Sequence, residues 1–187
     1  MAPPTIPAPP SALAAEGVLT LRDEVSPVTI HPIIDAILDH NLRGGRDQIR
    51  LYITSSGGDV DLGFALIDIM RWSRIPIHTT AMGMVGSMAL LIAMAGSRGH
   101  RTVMPNCSLL SHRFFSGSIG SHADLVAARV QQDIIHRRII EHYRICTGES
   151  DPVRLESDLL GPTDRWLTPV EAVRYGLMDR VWTPETP

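Results

Sequence analysis

The most apolar stretch of the chain, Ala81 to Gly96, is interrupted by Gly83, Gly86 and Ser87 and then runs uncharged to Ala95. A helix over Ser87–Ala95 is hydrophobic on every face, so other elements must enclose it. The stretch falls short of the ~20 apolar residues that a membrane-spanning helix needs. The flanking sequence supplies the enclosing layers. Ile49 to Thr54 reads as a strand with Ile49, Leu51 and Ile53 on one face, Val60 to Trp72 as a helix, and Ile75 to Thr80 as the next strand. Upstream, Val18 to Leu21 is a short strand. Thr29-Ile30-His31-Pro32 opens a helix with proline near its first turn, and Gly44-Gly45 closes it. Strand and helix alternate, which predicts an α/β fold.

Downstream, short strands are expected at Arg101 to Met104 and Ser108 to Ser111. A long helix follows from about Ala123 to Cys146, ended by Thr147-Gly148. It would span about 35 Å. Leu125, Val130, Ile134, Ile135, Ile139 and Ile140 occupy more than one of its faces, which is explained if it also packs on another subunit. The 187 residues fit one domain. It is expected over 17–183, behind a flexible Pro-rich leader at 1–16 and before a short tail at 184–187.

A net charge of −3 gives no reason to expect nucleic acid or an anionic membrane as partner. All 17 basic residues are arginine, which excludes any mechanism that needs a lysine base. Cys107 and Cys146 read as reduced thiols of a cytosolic protein rather than a disulfide framework. The N-terminus lacks the basic and apolar regions of a secretory signal. No His-Glu-x-x-His or paired-cysteine spacing suggests a metal, and no glycine-rich loop ends in lysine to hold a nucleotide.

Ser87, in Gly83-Met84-Val85-Gly86-Ser87-Met88-Ala89, falls at a strand-turn-helix junction. There a sharp turn exposes the Oγ, and unpaired helix N–H groups face a developing oxyanion. An ordinary N-cap role fits the same position. The strand ending in Thr54-Ser55-Ser56-Gly57-Gly58 carries paired glycines that let backbone approach a substrate, although a plain strand-to-helix turn would look alike. A serine nucleophile needs a base and an orienting group. His112 stands out by following the apolar strand Ser108-Leu109-Leu110-Ser111. His40, His136 and His142 sit on expected helices and are read as solvated or interfacial. Asp151, Asp158, Asp164 and Asp179 all remain open as the third member.

Four blocks in order resemble the Clp protease proteolytic subunit family (ClpP), over about Val18 to Val181. They are Ile49–Gly58, Ala81–Ala89, Met104–His112 and Asp164–Asp179. The resemblance implies a ClpP/crotonase-like β-β-α superhelix with the long helix as a handle. It implies a Ser-His-Asp serine endopeptidase in which Ser87 attacks, His112 takes the proton and Asp164 orients the ring. The N–H groups of Gly57 and Met88 would form the oxyanion hole. It further implies stacked seven-membered rings of this chain, unfolded polypeptide substrates, and a separate AAA+ unfoldase that uses the ATP, so no cofactor belongs on this chain.

The chain departs from the family pattern at Thr54-Ser55-Ser56, at Arg113-Phe114-Phe115, and in the longer stretch Asp158 to Thr163. Alternative readings are a non-catalytic or partner-activated ring subunit and a crotonase-like acyl-CoA enzyme, which would use carboxylates instead. A Ser-Lys hydrolase of the same fold is excluded unless another subunit donates the lysine. A Cys107–His112 pair lacks attack geometry.

Overall fold

Buried and exposed residues alternate along Val18–Leu21 (β1), Ile49–Ser55 (β2) and the first half of Ile77–Gly86 (β3), which gives the sheet one core face. A computed structural model describes residues 12–184. The remaining elements, in chain order, are α1 (Ala12–Ala15), α2 (Pro27–Arg43), α3 (Val60–Trp72), α4 (Met88–Met94), β4 (Arg101–Val103), β5 (Ser108–Ser111), α5 (His122–Thr147), α6 (Pro152–Leu159), β6 (Arg165–Leu167), α7 (Pro169–Arg174) and β7 (Arg180–Val181). The fold is mixed α/β around one sheet of order β1-β2-β3-β4-β7, with β5 pairing β3 and β6 branching from β5. Every pair is parallel except β5 with β6.

All seven residues of α4 are buried, as its uniform apolarity requires. They join Leu51, Ile53, Leu66, Ile67 and Ile77 in a single core. Ser87 is the N-cap of α4, not its first helical residue. The expected strand at Ile75–Thr80 runs on to Gly86 because β3 changes partners part-way. Thr79–Ala81 pair with β4 and Met84–Gly86 with β5, with the bend at Gly83 (φ 65). The helix expected to open near Pro32 begins at Pro27 after Ser26, and Pro32 lies inside it.

Of the expected leader, residues 1–11 lie outside the described residues. Ala12–Ala15 form the turn α1, whose Ala14 carbonyl accepts from His40 Nε2 at 2.7 Å. Of the expected tail, 185–187 lie outside them too. The long helix α5 has 26 residues, and its buried ones are all near the C-terminal end: Ile139, His142, Tyr143 and Cys146. Val126 and Val130 on the other part are 51% and 55% exposed. No helix among the described residues is long and apolar enough to cross a membrane.

Candidate active site

Ser87 has φ 54 and ψ −129, the one positive φ outside glycine among the described residues. Such a conformation costs about 1–3 kcal/mol and persists only where the surroundings impose it. Here they do. The Ser87 N–H donates to the Leu110 carbonyl at 2.9 Å, and its carbonyl accepts from Leu90 and Leu91 N–H at 3.0 and 3.3 Å. Its side chain makes no capping hydrogen bond, so the ordinary N-cap role is not taken up and Oγ stays free at the turn.

The glycine loop presses against this turn. A Cβ on Gly57 would lie 2.6 Å from Ser87 Cβ, 2.9 Å from the Gly86 oxygen and 3.0 Å from the Met88 nitrogen. Only glycine fits there, and its φ of 104 favours glycine as well. Gly58 is clamped by Val25: Val25 N–H donates to the Gly57 carbonyl at 2.8 Å, and Asp59 N–H to the Val25 carbonyl at 2.9 Å. The Gly57 N–H donates to Ser55 Oγ at 3.2 Å. Met88 opens α4, where the first N–H groups have no intrahelical acceptor.

Two strand ends meet beside Ser87. Gly86 pairs with Leu110 in parallel register, which brings the end of β5 alongside the turn. In the antiparallel β5–β6 pair, Ser111 faces Arg165. One residue further along that register, His112 follows β5 and Asp164 precedes β6 on opposite strand ends. His112 is half-buried and Asp164 exposed. Among the described residues no hydrogen bond joins Ser87 to His112 or His112 to Asp164.

Competing residues are committed elsewhere. Asp151 caps α6 by accepting from Val153 N–H at 2.9 Å, Asp158 pairs with Arg154 at 3.8 Å, and Asp179 pairs with buried Arg101 at 2.6 Å. Burial pushes the Cys107 thiol up to about 11, so it stays protonated. His40 and His142 are buried, at 6% and 2% exposure, which corrects the expectation that they are solvated or interfacial. Both rings replace water with carbonyl partners: His40 donates to Ala14, and His142 Nε2 donates to Leu91 at 2.8 Å while its Nδ1 accepts from Arg71 at 2.9 Å. Burial first, and then the Arg71 cation, lower the His142 pKa to about 4, so the ring is neutral.

Sequence reasoning missed what anchors the strand ends. Ser111 Oγ donates to the Leu159 carbonyl at 2.7 Å, so Tyr143 Oη must donate to Ser111 Oγ, also at 2.7 Å. Arg113 donates to the Leu160 carbonyl at 2.7 Å. The lone available signal was Ser111 itself, a hydroxyl closing an apolar strand. No cluster of three or more potential metal ligands occurs among the described residues.

The sequence matches the family model for Clp protease over residues 8–185. The chain belongs to the Clp protease family. It is a serine peptidase of that family, with free Ser87 at the strained turn and lysine absent throughout. An ATP-dependent Clp protease proteolytic subunit 2 from Mycolicibacterium paratuberculosis is 33% identical over 171 residues, covering 91% of this chain and 84% of the relative. An ATP-dependent Clp protease proteolytic subunit 1 from Mycobacterium tuberculosis is 33% identical over 172 residues, with the same coverage of 91% and 84%. A subunit 2 from Nocardia farcinica is 31% identical over 170 residues, covering 90% and 82%.

Proposed function

We propose that this Clp-family peptidase hydrolyses peptide bonds of unfolded polypeptides through Ser87, His112 and Asp164, inside a chamber formed by copies of the chain. The observation that carries the reading is Ser87, held at φ 54 with an uncapped side chain against Gly57. Ser87 Oγ attacks the scissile carbonyl carbon while His112 accepts the hydroxyl proton, and the carbonyl π electrons move onto oxygen. The Gly57 and Met88 N–H groups receive that oxyanion, with the substrate oxygen displacing Ser55 Oγ from Gly57. Each such donor is worth about 10²–10³ in rate. His112 then protonates the departing amine, leaving an acyl-enzyme that water hydrolyses by the same route in reverse. Asp164 orients the ring and stabilises the imidazolium.

The exposed apolar side of α5, with Val126 and Val130, supports assembly of copies into stacked rings. Delivery by a separate ATP-driven unfoldase, a cytoplasmic setting and a chain without cofactor complete the reading. A second reading, a ring subunit activated by its partners, is favoured by the missing hydrogen bonds among the three side chains. Assembly would then close the gap between the two strand ends and Ser87.

The test is a fluorophosphonate at neutral pH, with the adduct mapped by peptide mass spectrometry. Stoichiometric labelling at Ser87 that Ser87→Ala abolishes is the expected result. Peptide cleavage that survives Ser87→Ala would overturn the assignment. Labelling that occurs only with an added partner assigns the second reading.

A further inference from the structure

Glycine is the weakest helix former after proline, yet Gly63 sits inside α3, buried at the end of its first turn. The backbone does not call for glycine there. Gly63 N–H donates to the Asp59 carbonyl at 3.1 Å, and its φ lies outside the positive range that the turn glycines occupy. What Gly63 supplies is space. A Cβ at this position would overlap Met88 Cγ and lie 2.7 Å from Cε and 2.8 Å from Sδ. The Met88 side chain therefore lies across the bare backbone of α3. At 3% exposure, in the packed seam between α3 and α4, it has no free path away.

Met88 is also the first residue of α4, directly after Ser87. In the proposed reaction its N–H is one oxyanion donor and the Gly57 N–H is the other. α3 reaches this residue from two directions. Gly63 seats the side chain. Gly57 leads into α3 through Gly58 and the Asp59 cap, which accepts from Leu62 N–H at 2.9 Å. A Cβ on Gly57 would lie 3.0 Å from the Met88 nitrogen. The spacing of the two donors is thus referred to one rigid helix over the short span Gly57–Gly63. Such donors act at about 2.7–3.1 Å from the oxyanion, so a shift of a few tenths of an ångström is felt in rate.

From this seat beneath the residue that follows the nucleophile, we infer that Gly63 is a positioning residue. It aims the Met88 N–H at the oxyanion by fixing where the Met88 side chain lies. The inference rests on the proposed peptidase reading, since it needs Ser87 as nucleophile and the Met88 N–H as donor. Ordinary close packing of two helices would use the same space, but packing alone governs stability and leaves the chemical step of the folded enzyme unchanged.

The experiment measures kcat and KM on a fluorogenic peptide, with urea unfolding alongside, on the form of the full chain that a fluorophosphonate labels. Gly63→Ala should lower kcat by about tenfold or more, short of the 10²–10³ or so of a wholly lost donor. KM should stay within about twofold. Met88→Ala empties the seat but keeps the backbone N–H, and should lower kcat by about threefold or more. In the double variant Gly63→Ala/Met88→Ala, the methyl at position 63 refills the space beside the shortened side chain, so kcat should exceed that of either single variant. Gly96→Ala is the control for overpacking. Its Cβ would overlap Thr79 Oγ1 and lie 2.9 Å from Cγ2, just past the far end of α4; stability should fall with kcat unchanged. The inference is overturned if Gly63→Ala keeps wild-type kcat, if Gly96→Ala loses as much kcat, or if the losses of the two single variants simply add in the double. Where Gly63→Ala does not fold, a double variant slower than Met88→Ala overturns it and a faster one supports it. Ser87→Ala separates the two failures. Cleavage that survives it sinks the peptidase reading and this inference together, whereas cleavage that it abolishes, with wild-type kcat in Gly63→Ala, sinks the inference alone.

Discussion

Gly57→Ala tests the site where its geometry is tightest. A new Cβ would meet Ser87 Cβ at 2.6 Å, the Gly86 oxygen at 2.9 Å and the Met88 nitrogen at 3.0 Å. Two of these are backbone atoms and the third is bonded to backbone, so no flexible side chain can swing away. An L-residue at positive φ costs about 1–2 kcal/mol, and overpacking adds about 1–3 kcal/mol. The chain can relieve the clash only by moving the Gly57 peptide away from Ser87. On the proposed mechanism that displacement removes an oxyanion donor, worth about 10²–10³ in rate. Gly45→Ala provides the control: its φ is 81, but nothing lies within 4 Å of the added methyl. The pair is assayed by kcat/KM on a fluorogenic peptide and by denaturant unfolding. Gly57→Ala should lose at least about a hundredfold in kcat/KM, while Gly45→Ala loses about 1 kcal/mol of stability with activity unchanged. Gly57→Ala with wild-type kcat/KM, or equal losses in both variants, would refute the reasoning.

The remaining expectations concern the frame around the site. Tyr143→Phe removes the donor to Ser111 inside a fully buried chain of hydroxyls, which should cost about 1–2 kcal/mol by urea unfolding and slow acylation of Ser87. Asp179→Asn leaves the buried Arg101 guanidinium without its anion, and the expected loss is about 3 kcal/mol. Burial raises the Asp179 pKa, but its bonds from Arg101 outweigh that and leave it lowered. Its stabilisation is therefore present above the ordinary carboxylate range and lost as pH falls through the lowered value; wild type should show this loss and Asp179→Asn should not. For His142 the folded pKa of about 4 lies below the ordinary 6.5. The unfolded chain then binds the extra proton, and stability should fall by about 3 kcal/mol as pH drops from 6.5 towards 4, read as a shift of the unfolding midpoint.

What could be read from the chain depended on whether the signal was local. The helix Val60–Trp72 was legible to the residue, following directly on the Ser-Ser-Gly-Gly turn, and the structure adds Asp59 as its N-cap. So was Ser87 as a turn residue, because two glycines and an apolar helix bracket it. The full length of β3 was hidden, since Gly83 and Gly86 look like a turn until β5 arrives from a distant part of the sequence to pair with Met84–Gly86. β6 and β7, of three and two residues, are too short to carry a periodicity. Burial of His40 and His142 was hidden for the same reason, since the carbonyls of Ala14 and Leu91 that satisfy them lie far away along the chain. Four aspartates were equivalent by composition, and it was the resemblance of the Asp164–Asp179 block that singled out Asp164; in the structure a helix cap, a helix ion pair and Arg101 engage the other three.

The same long-range contacts tie the strand ends to the handle. Ser111 adjoins His112 and faces Arg165, the neighbour of Asp164, and its hydroxyl is held by Tyr143 of α5 and by the end of α6. Arg113, on the other side of His112, donates to Leu160 and lies 3.7 Å from Glu156, which His136 of α5 also contacts at 3.3 Å. His112 is therefore bracketed by two attachments to α6, both of which reach α5. Ser87 hangs from the other side of the same strand, through Leu110. A shift of α5 against the body must move β5, and β5 carries His112 relative to a serine whose own turn is fixed by Gly57. α5, with its exposed apolar side, is thus connected to the segment that carries His112 by two routes, one through the buried hydroxyls of Tyr143 and Ser111 and one through the more exposed side chains of His136, Glu156 and Arg113.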